Sequence, residues 1–154
     1  MKAKVMLVTP PYHCGVVEAA GTWVPLALVS AAGGLDQAGY QVEIYDAMSR
    51  FDTHEDIEAR FRQERPDAVG ATAFTATVND AVAVLAAAKR VNPAAVTMLG
   101  GVHGTFMWKE VLEAEASPVD YVVLGEGEQT APELLDAALS GKPVDGIPGL
   151  AWRG

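Results

Sequence analysis

Five short apolar runs recur along the chain, and each is followed by a segment whose apolar residues have helical spacing. The runs are Lys4–Val8, Val42–Tyr45, Asp67–Ala73, Val96–Leu99 and Tyr121–Leu124. Short apolar runs are typical of strands buried on both faces of a parallel sheet. Because successive strand–helix units cross over with right-handed geometry, the pattern predicts an α/β fold. We expect a flavodoxin-like (Rossmann-like), doubly wound, five-stranded parallel sheet in the order 2-1-3-4-5.

The glycine pair Gly33-Gly34 interrupts the first predicted helix, which begins near Pro25. Each glycine inside a helix costs on the order of 1 kcal/mol relative to alanine. Two explanations stay open at this point. Another element could approach the helix closely, or the helix could be kinked.

Composition and charge exclude several classes of function. The 154 residues are half hydrophobic, which suits one well-packed domain. The excess of acidic residues gives a net charge of −9, which would repel nucleic acid and an anionic membrane surface. No apolar run approaches the roughly 20 residues of a membrane span, and no signal-peptide pattern follows Met1. We therefore expect a cytoplasmic protein with no nucleic-acid partner and no membrane span.

The most informative loop follows the fourth predicted strand and reads Leu99-Gly100-Gly101-Val102-His103-Gly104, before a helical pattern resumes at Phe106. A glycine pair at the end of a strand permits positive φ and leaves no Cβ between the main chain and a ligand. In open α/β sheets, ligands bind at this edge. A plain strand-to-helix turn would use glycine as well, so both interpretations stay open on these residues alone.

Four strand-end segments together resemble the cobalamin-binding domain at the front of cobalamin-dependent radical-SAM enzymes. They are Thr9-Pro10-Pro11-Tyr12, Thr72–Thr77, Leu99–Gly104 and Asp120–Glu128. The specific part is the GGxH motif followed downstream by GEGE. The closing segment Ile147–Ala151 resembles the strand with which that family enters its radical-SAM barrel. The resemblance thus implies a cobalamin-binding domain over residues 1–146, with residues 147–154 beginning the connection to a radical-SAM domain outside this chain.

Two longer segments are similar to one branch of that family, the anaerobic oxidative cyclases of magnesium-protoporphyrin IX monomethyl ester in bacteriochlorophyll biosynthesis. They are Tyr12–Gly15 with Glu18–Trp23, and His103–Met107. The resemblance implies that this chain holds cobalamin for a parent oxidoreductase. A four-iron four-sulfur cluster and S-adenosylmethionine would bind to the next domain, and the porphyrin would lie at the interface. The alternatives are another radical-SAM enzyme such as a methyltransferase, and a freestanding cobalamin carrier.

The resemblance also implies that the corrin stacks over the carboxyl edge of the sheet, while the nucleotide tail runs beside strands three, four and five. The residues implied to bind the cofactor are Pro11, Tyr12, His13, Ala73, Thr75, Thr77, Gly100, Gly101, Val102, His103, Gly104, Gly125, Glu126, Gly127 and Glu128. Thr75 and Thr77 could donate hydrogen bonds to the phosphate or to amides. The two glutamates either accept hydrogen bonds from the cofactor or only favour the start of a helix. No catalytic residue is expected in this chain.

The first loop departs from the pattern of other cobalamin domains, which carry D-x-H-x-x-G and use its histidine to replace the benzimidazole on cobalt. Here the segment reads Pro11-Tyr12-His13-Cys14-Gly15, without the aspartate or the histidine-to-glycine spacing. The resemblance therefore implies base-off cobalamin with water or nothing below the cobalt, and no metal site formed by the chain itself. His13 and His103 are the two loop histidines that could approach the corrin.

Two other uses of the same fold are disfavoured. A signalling receiver needs an acidic pair after the first strand and a lysine after the fifth, and a dinucleotide-binding module needs G-x-G-x-x-G. Thr9-Pro10-Pro11 and Leu124-Gly125-Glu126 provide none of these.

Overall fold

The computed structural model describes residues 2–13 and 24–154 of the chain, in which strands and helices alternate. The strands are β1 (Lys4–Thr9), β2 (Gln41–Asp46), β3 (Ala68–Thr72), β4 (Val96–Gly100), β5 (Tyr121–Val123) and β6 (Leu150–Trp152). The helices are α1 (Leu26–Gln37), α2 (Ala47–Arg50), α3 (His54–Glu64), α4 (Val78–Val91), α5 (Gly101–Glu113) and α6 (Gly127–Ala138), with a 3₁₀ turn at Thr75–Thr77. Within the described ranges, no helix is long and apolar enough to cross a membrane.

The strands form one six-stranded sheet in the order β2-β1-β3-β4-β5-β6. The pairs from β2 through to β5 are parallel, so the predicted order 2-1-3-4-5 is confirmed. The sheet also has a sixth strand, which the expected five-stranded sheet did not include, and the closing segment provides it. Its residues Leu150–Trp152 pair antiparallel with β5, Val122 lying opposite Ala151. The added strand satisfies backbone groups that β5 would otherwise expose as a sheet edge.

Alternate residues of each strand face opposite sides of the sheet. Met6 and Val8 pack in a core cluster with buried residues of α3, α4 and α5, and we call this side the α3–α5 face. Val5 and Leu7 pack in a second cluster with buried residues of α1 and α6, which defines the α1/α6 face. The α3–α5 face contains the largest fully buried side chain, Phe61.

Helices α1 and α6 approach each other closely at Gly34. A Cβ added there would lie only 2.1 Å from the carbonyl oxygen of Glu128, whereas one added at Gly33 would meet nothing within 4 Å. Of the two explanations for the glycine pair, close approach therefore applies to Gly34. The packing gives no reason for glycine at position 33.

Helix α5 begins at Gly101, earlier than the predicted resumption of helix at Phe106. The residues Gly101–Gly104, expected to form a loop, are its first turn, and backbone angles outside the helical range mark a kink at Met107. The turn forms despite its poor helix formers because tertiary contacts support it. The backbone N–H of His103 donates to the carbonyl of Ala73 at 3.0 Å, and Gly104 is buried against Val122. Helix α6 begins at Gly127, and Pro132 lies inside it.

Candidate cofactor site

A cavity of about 340 Å³ opens at the carboxyl ends of β3, β4 and β5 on the α1/α6 face. Most of its walls are glycine, alanine and larger apolar residues. They include Leu7, Ala27, Leu28, Ala31, Gly70, Met98, Gly100, Gly101, Val123, Gly125, Gly127 and Ala131. Helices α1 and α6 line this level mostly with alanine and glycine, and Leu28 is the larger side chain that they contribute. An apolar slot therefore remains between them and the sheet.

Gly100 lines this slot and leaves it open. Its backbone is extended, with φ −122° and ψ −169°, a conformation that any residue can adopt. A Cβ added to Gly100 would meet nothing within 4 Å. Neither backbone strain nor packing of the protein against itself therefore requires glycine at this position. Because Gly100 has no side chain, this part of the slot stays open.

Gly101, the other glycine of the pair, is required by the turn itself. Its φ is +92°, and an added Cβ would lie 2.7 Å from both the carbonyl oxygen of Ala73 and the hydroxyl oxygen of Thr72. The two interpretations of the glycine pair thus apply to different members. Gly101 makes the strand-to-helix turn, and Gly100 makes space.

The hydroxyl of Thr105 joins the segments that follow β4 and β5. It donates to the carbonyl oxygen of Gly101 at 3.0 Å and accepts from the backbone N–H of Gly125 at 3.0 Å. Sequence reasoning did not assign Thr105 a role. Only its position four residues after Gly101, on one helical turn, could have pointed to it.

His13 and His103, the two histidines expected in loops, lie at different parts of the carboxyl edge of the sheet. His103 Nδ1 is 3.2 Å from the hydroxyl oxygen of Thr75, beside the end of β3. The exposed ring of His13 stacks on Phe51, just after β2 and α2, with centroids 4.6 Å apart and an angle of 7° between the planes. Pro11 and Tyr12 are half-buried directly after β1.

The two threonines of the β3 loop differ in what their hydroxyls contact. Thr77 is buried, and its hydroxyl accepts from the backbone N–H of Phe74 at 3.0 Å and donates to the carbonyl of the same residue at 3.3 Å. Any donation from Thr77 to a ligand would compete with this turn. Thr75 is exposed next to His103, so its hydroxyl is better placed to reach one.

The two glutamates of the GEGE motif flank the first residue of α6. Glu126 is the residue before the helix and borders the slot. Glu128 lies in the first turn, where its negative charge favours the helix, and it accepts a hydrogen bond from the hydroxyl of Ser30 on α1. Glu128 thus lies where its charge favours the helix start, and Glu126 lies where it can reach a ligand; the binding roles of both glutamates stay predictions.

A second cavity of about 290 Å³ lies at the ends of β1, β2 and β3. It contains a polar corner in which the Thr9 hydroxyl donates to Asp46 at 2.8 Å and accepts from the backbone N–H of Met48 at 3.1 Å. Large apolar side chains are exposed along the same edge of the sheet. They are Leu26, Phe51, Phe74, Val102 and Phe106, the last 78% exposed.

The slot and its apolar surroundings fit a cofactor with a flat macrocycle and a narrow tail. The open side of Gly100 leaves the slot accessible, and the exposed aromatic and aliphatic side chains provide an apolar surface beside it. Among residues 2–13 and 24–154 there is no group of three or more His, Cys, Asp or Glu side chains that could hold a metal ion.

Comparison with known proteins agrees with this geometry. The chain is 41% identical over 140 residues to an anaerobic magnesium-protoporphyrin IX monomethyl ester cyclase of Rubrivivax gelatinosus, covering 90% of this chain and 25% of that protein. It is 34% identical over 150 residues to an uncharacterized methyltransferase of Pyrococcus horikoshii, covering 97% of this chain and 32% of that protein. The chain thus spans about a quarter to a third of these relatives.

A solved structure matches the whole chain. The radical S-adenosylmethionine methyltransferase TsrM of Kitasatospora setae, with cobalamin and a [4Fe-4S] cluster bound, superposes with a TM-score of 0.81 at 25% identity, covering 100% of this chain and 29% of that one. The B12 binding domain family matches residues 12–135, a range that includes the GGxH and GEGE motifs and the slot between them. The chain belongs to the family of B12-binding, that is cobalamin-binding, domains.

Proposed function

We propose that this chain is the cobalamin-holding domain of a radical-SAM oxidative cyclase that acts on magnesium-protoporphyrin IX monomethyl ester. The observation that carries the cofactor assignment is the slot beside Gly100. The protein does not fill this slot, and no backbone strain explains the glycine at position 100. The identity of 41% to a cyclase supports the reaction. The parent enzyme would bind the iron–sulfur cluster and S-adenosylmethionine in its radical-SAM domain.

The slot is suited to the nucleotide tail of cobalamin, because its walls are mostly apolar with several glycines and alanines, and it reaches between the sheet and helices α1 and α6. The exposed side chains of Phe74, Val102 and Phe106 would face the corrin. Thr75, His103 and Glu126 are the polar residues placed to meet its amides or phosphate. When bound, cobalamin supplies a cobalt centre to the chemistry of the adjoining domain. This chain binds and orients the cofactor and keeps water from its buried part.

A methyltransferase is the second candidate, supported by the Pyrococcus horikoshii relative and by the match to TsrM. In both proposals residues 147–154 begin the connection to the radical-SAM domain. The two candidates can be distinguished by whether the enzyme closes a ring on the magnesium porphyrin ester or methylates a substrate. The full-length parent protein should close the fifth ring of this ester when it is supplied with excess S-adenosylmethionine, which is consumed as the oxidant, and a one-electron reductant that starts turnover. Water provides the oxygen atom. Absence of ring closure, with methylation of a substrate instead, would favour the second candidate.

Cobalamin binding is tested by incubating the chain with hydroxocobalamin, desalting it and recording the visible spectrum. We expect retained cobalamin with a base-off spectrum. In Gly100→Leu the added side chain occupies the slot, and retention should fall at least about 100-fold, since a buried clash of this size costs roughly 3 kcal/mol. Position 100 is preferable to Gly101, where substitution would also strain the turn.

Gly33→Ala is the matched control, because it adds a side chain to another open glycine away from the slot. It should retain cobalamin like the unaltered chain. Retention by Gly100→Leu would show that the slot is not the site. If neither the unaltered chain nor the full-length parent protein retains cobalamin, the cofactor assignment itself is contradicted. A histidine-ligated spectrum would instead overturn the base-off expectation.

A further inference from the structure

The hydroxyl of Thr105 connects two glycine segments that follow the neighbouring strands β4 and β5 and border the slot. It donates to the carbonyl of Gly101, which follows β4, and accepts from the N–H of Gly125, which follows β5. All three residues line the slot. Thr105 is therefore a side chain that ties the two rims to each other.

The two rims differ in how firmly the rest of the protein holds them. Gly101 sits tightly against the backbone of Ala73 and the side chain of Thr72, so its position is fixed. Gly125 is exposed, has a φ of +68°, and a Cβ added to it would meet nothing within 4 Å. The hydroxyl of Thr105 thus links an exposed rim, which has open space beside it, to a closely packed one.

We propose that Thr105 is a positioning residue that sets the width of the slot by fixing Gly125, an inference that rests on the cobalamin binding proposed above. Because Gly125 is exposed, water can replace the hydroxyl when it is removed. The fold then loses little stability, but the rim is free to shift. A ligand must order that rim on binding, and its affinity falls accordingly.

The test compares Thr105→Val, which keeps the branched shape without donor or acceptor, with Thr105→Ser, which keeps the hydroxyl. We expect the valine variant of the full 154-residue chain to bind hydroxocobalamin about five- to tenfold more weakly, the effect of one net hydrogen bond. The serine variant should bind like the unaltered chain. Both should unfold at nearly the same temperature as the unaltered chain without ligand.

A second readout follows the amide of Gly125 by NMR in the ligand-free protein. In Thr105→Val its signal should show loss of a hydrogen bond and faster motion, and Thr105→Ser should restore it. Weaker binding with an unchanged Gly125 amide would mean that Thr105 contacts the ligand directly, which overturns the positioning role.

Two further outcomes separate this inference from the proposed function. Unchanged affinity in Thr105→Val, with cobalamin retained by the unaltered chain, overturns the inference and leaves cobalamin binding standing. Failure of the unaltered chain to retain cobalamin, both alone and in the full-length parent protein, overturns the proposed function and the inference with it.

Discussion

The two faces of the sheet are packed to different degrees, although the same strands supply both. On the α3–α5 face, large side chains such as Ile57, Phe61, Leu85 and Leu112 are completely or almost completely buried. On the α1/α6 face, Leu35 fills the space near the amino ends of the strands in the same way. Near their carboxyl ends several of the facing residues are alanine or glycine, and a slot of about 340 Å³ remains. The closely packed α3–α5 face therefore stabilises the fold, and the α1/α6 face leaves room for a ligand.

The largest expected effect is on the filled face. Phe61→Ala should lower the free energy of unfolding by about 3–5 kcal/mol, because close-packed neighbours cannot collapse into the space. Denaturant unfolding measures the loss. Cobalamin binding by the remaining folded protein should be unchanged, since Phe61 lies on the other side of the sheet from the slot. A large loss of affinity in the folded protein would show that the two faces are not independent.

Neighbouring glycines of α1 should respond in opposite directions to the same substitution. Gly34→Ala should destabilise the protein by about 1–3 kcal/mol, because its Cβ would collide with the Glu128 carbonyl and push α1 from α6. Gly33→Ala should stabilise it by about 0.5–1 kcal/mol, since alanine favours the helix and meets nothing. Thermal unfolding of both variants measures the difference. Equal effects would mean that the helices are not in contact as described.

The smallest effect concerns an ion pair at the border of the α1/α6 face. Hydrogen bonds from the Lys2 ammonium at 2.7 Å and the Tyr40 hydroxyl at 2.6 Å hold the pKa of Asp136 below its usual range. The folded state therefore favours the carboxylate, and this stability is present above the ordinary pKa of aspartate. It is lost as the pH falls through the lowered value. Because both charged side chains are about half exposed, the contribution is only a few tenths of a kcal/mol.

Asp136→Asn tests this pair while keeping an acceptor for Tyr40. The variant should be slightly less stable than the unaltered chain at neutral pH, and the difference should vanish in acid. Urea unfolding at both pH values measures it. A difference that persists or grows in acid would contradict the described charge pairing.

The parallel sheet could be predicted because strands that alternate with helices along a chain have few ways to pair. Five apolar runs separated by helical segments, joined by right-handed crossovers, predict a parallel sheet, and the observed order is one of the two common doubly wound orders. The close approach at Gly34 was one of two stated explanations for a glycine pair. The local patterns thus limited the possibilities to a few.

The rest depended on contacts between distant residues. The early start of α5 is stabilised by Ala73 and Val122, neither of which its own sequence reveals. Pairing of Leu150–Trp152 requires the free edge of β5. Gly100 and Gly101 are adjacent glycines that the sequence cannot distinguish. Their φ angles and the space around them show that Gly100 leaves room in the slot and Gly101 makes the turn. The binding roles assigned to the loop residues stay predictions.

The slot beside Gly100 also couples folding to cofactor supply. A ligand that enters it binds the folded chain and not the unfolded one, so the folding equilibrium shifts with the free ligand concentration. At 100 times its dissociation constant such a ligand adds about 2.7 kcal/mol, a large share of the marginal stability of a domain this size. Newly made protein would thus resist unfolding and proteolysis best where cobalamin is plentiful, and its cellular abundance would follow the vitamin.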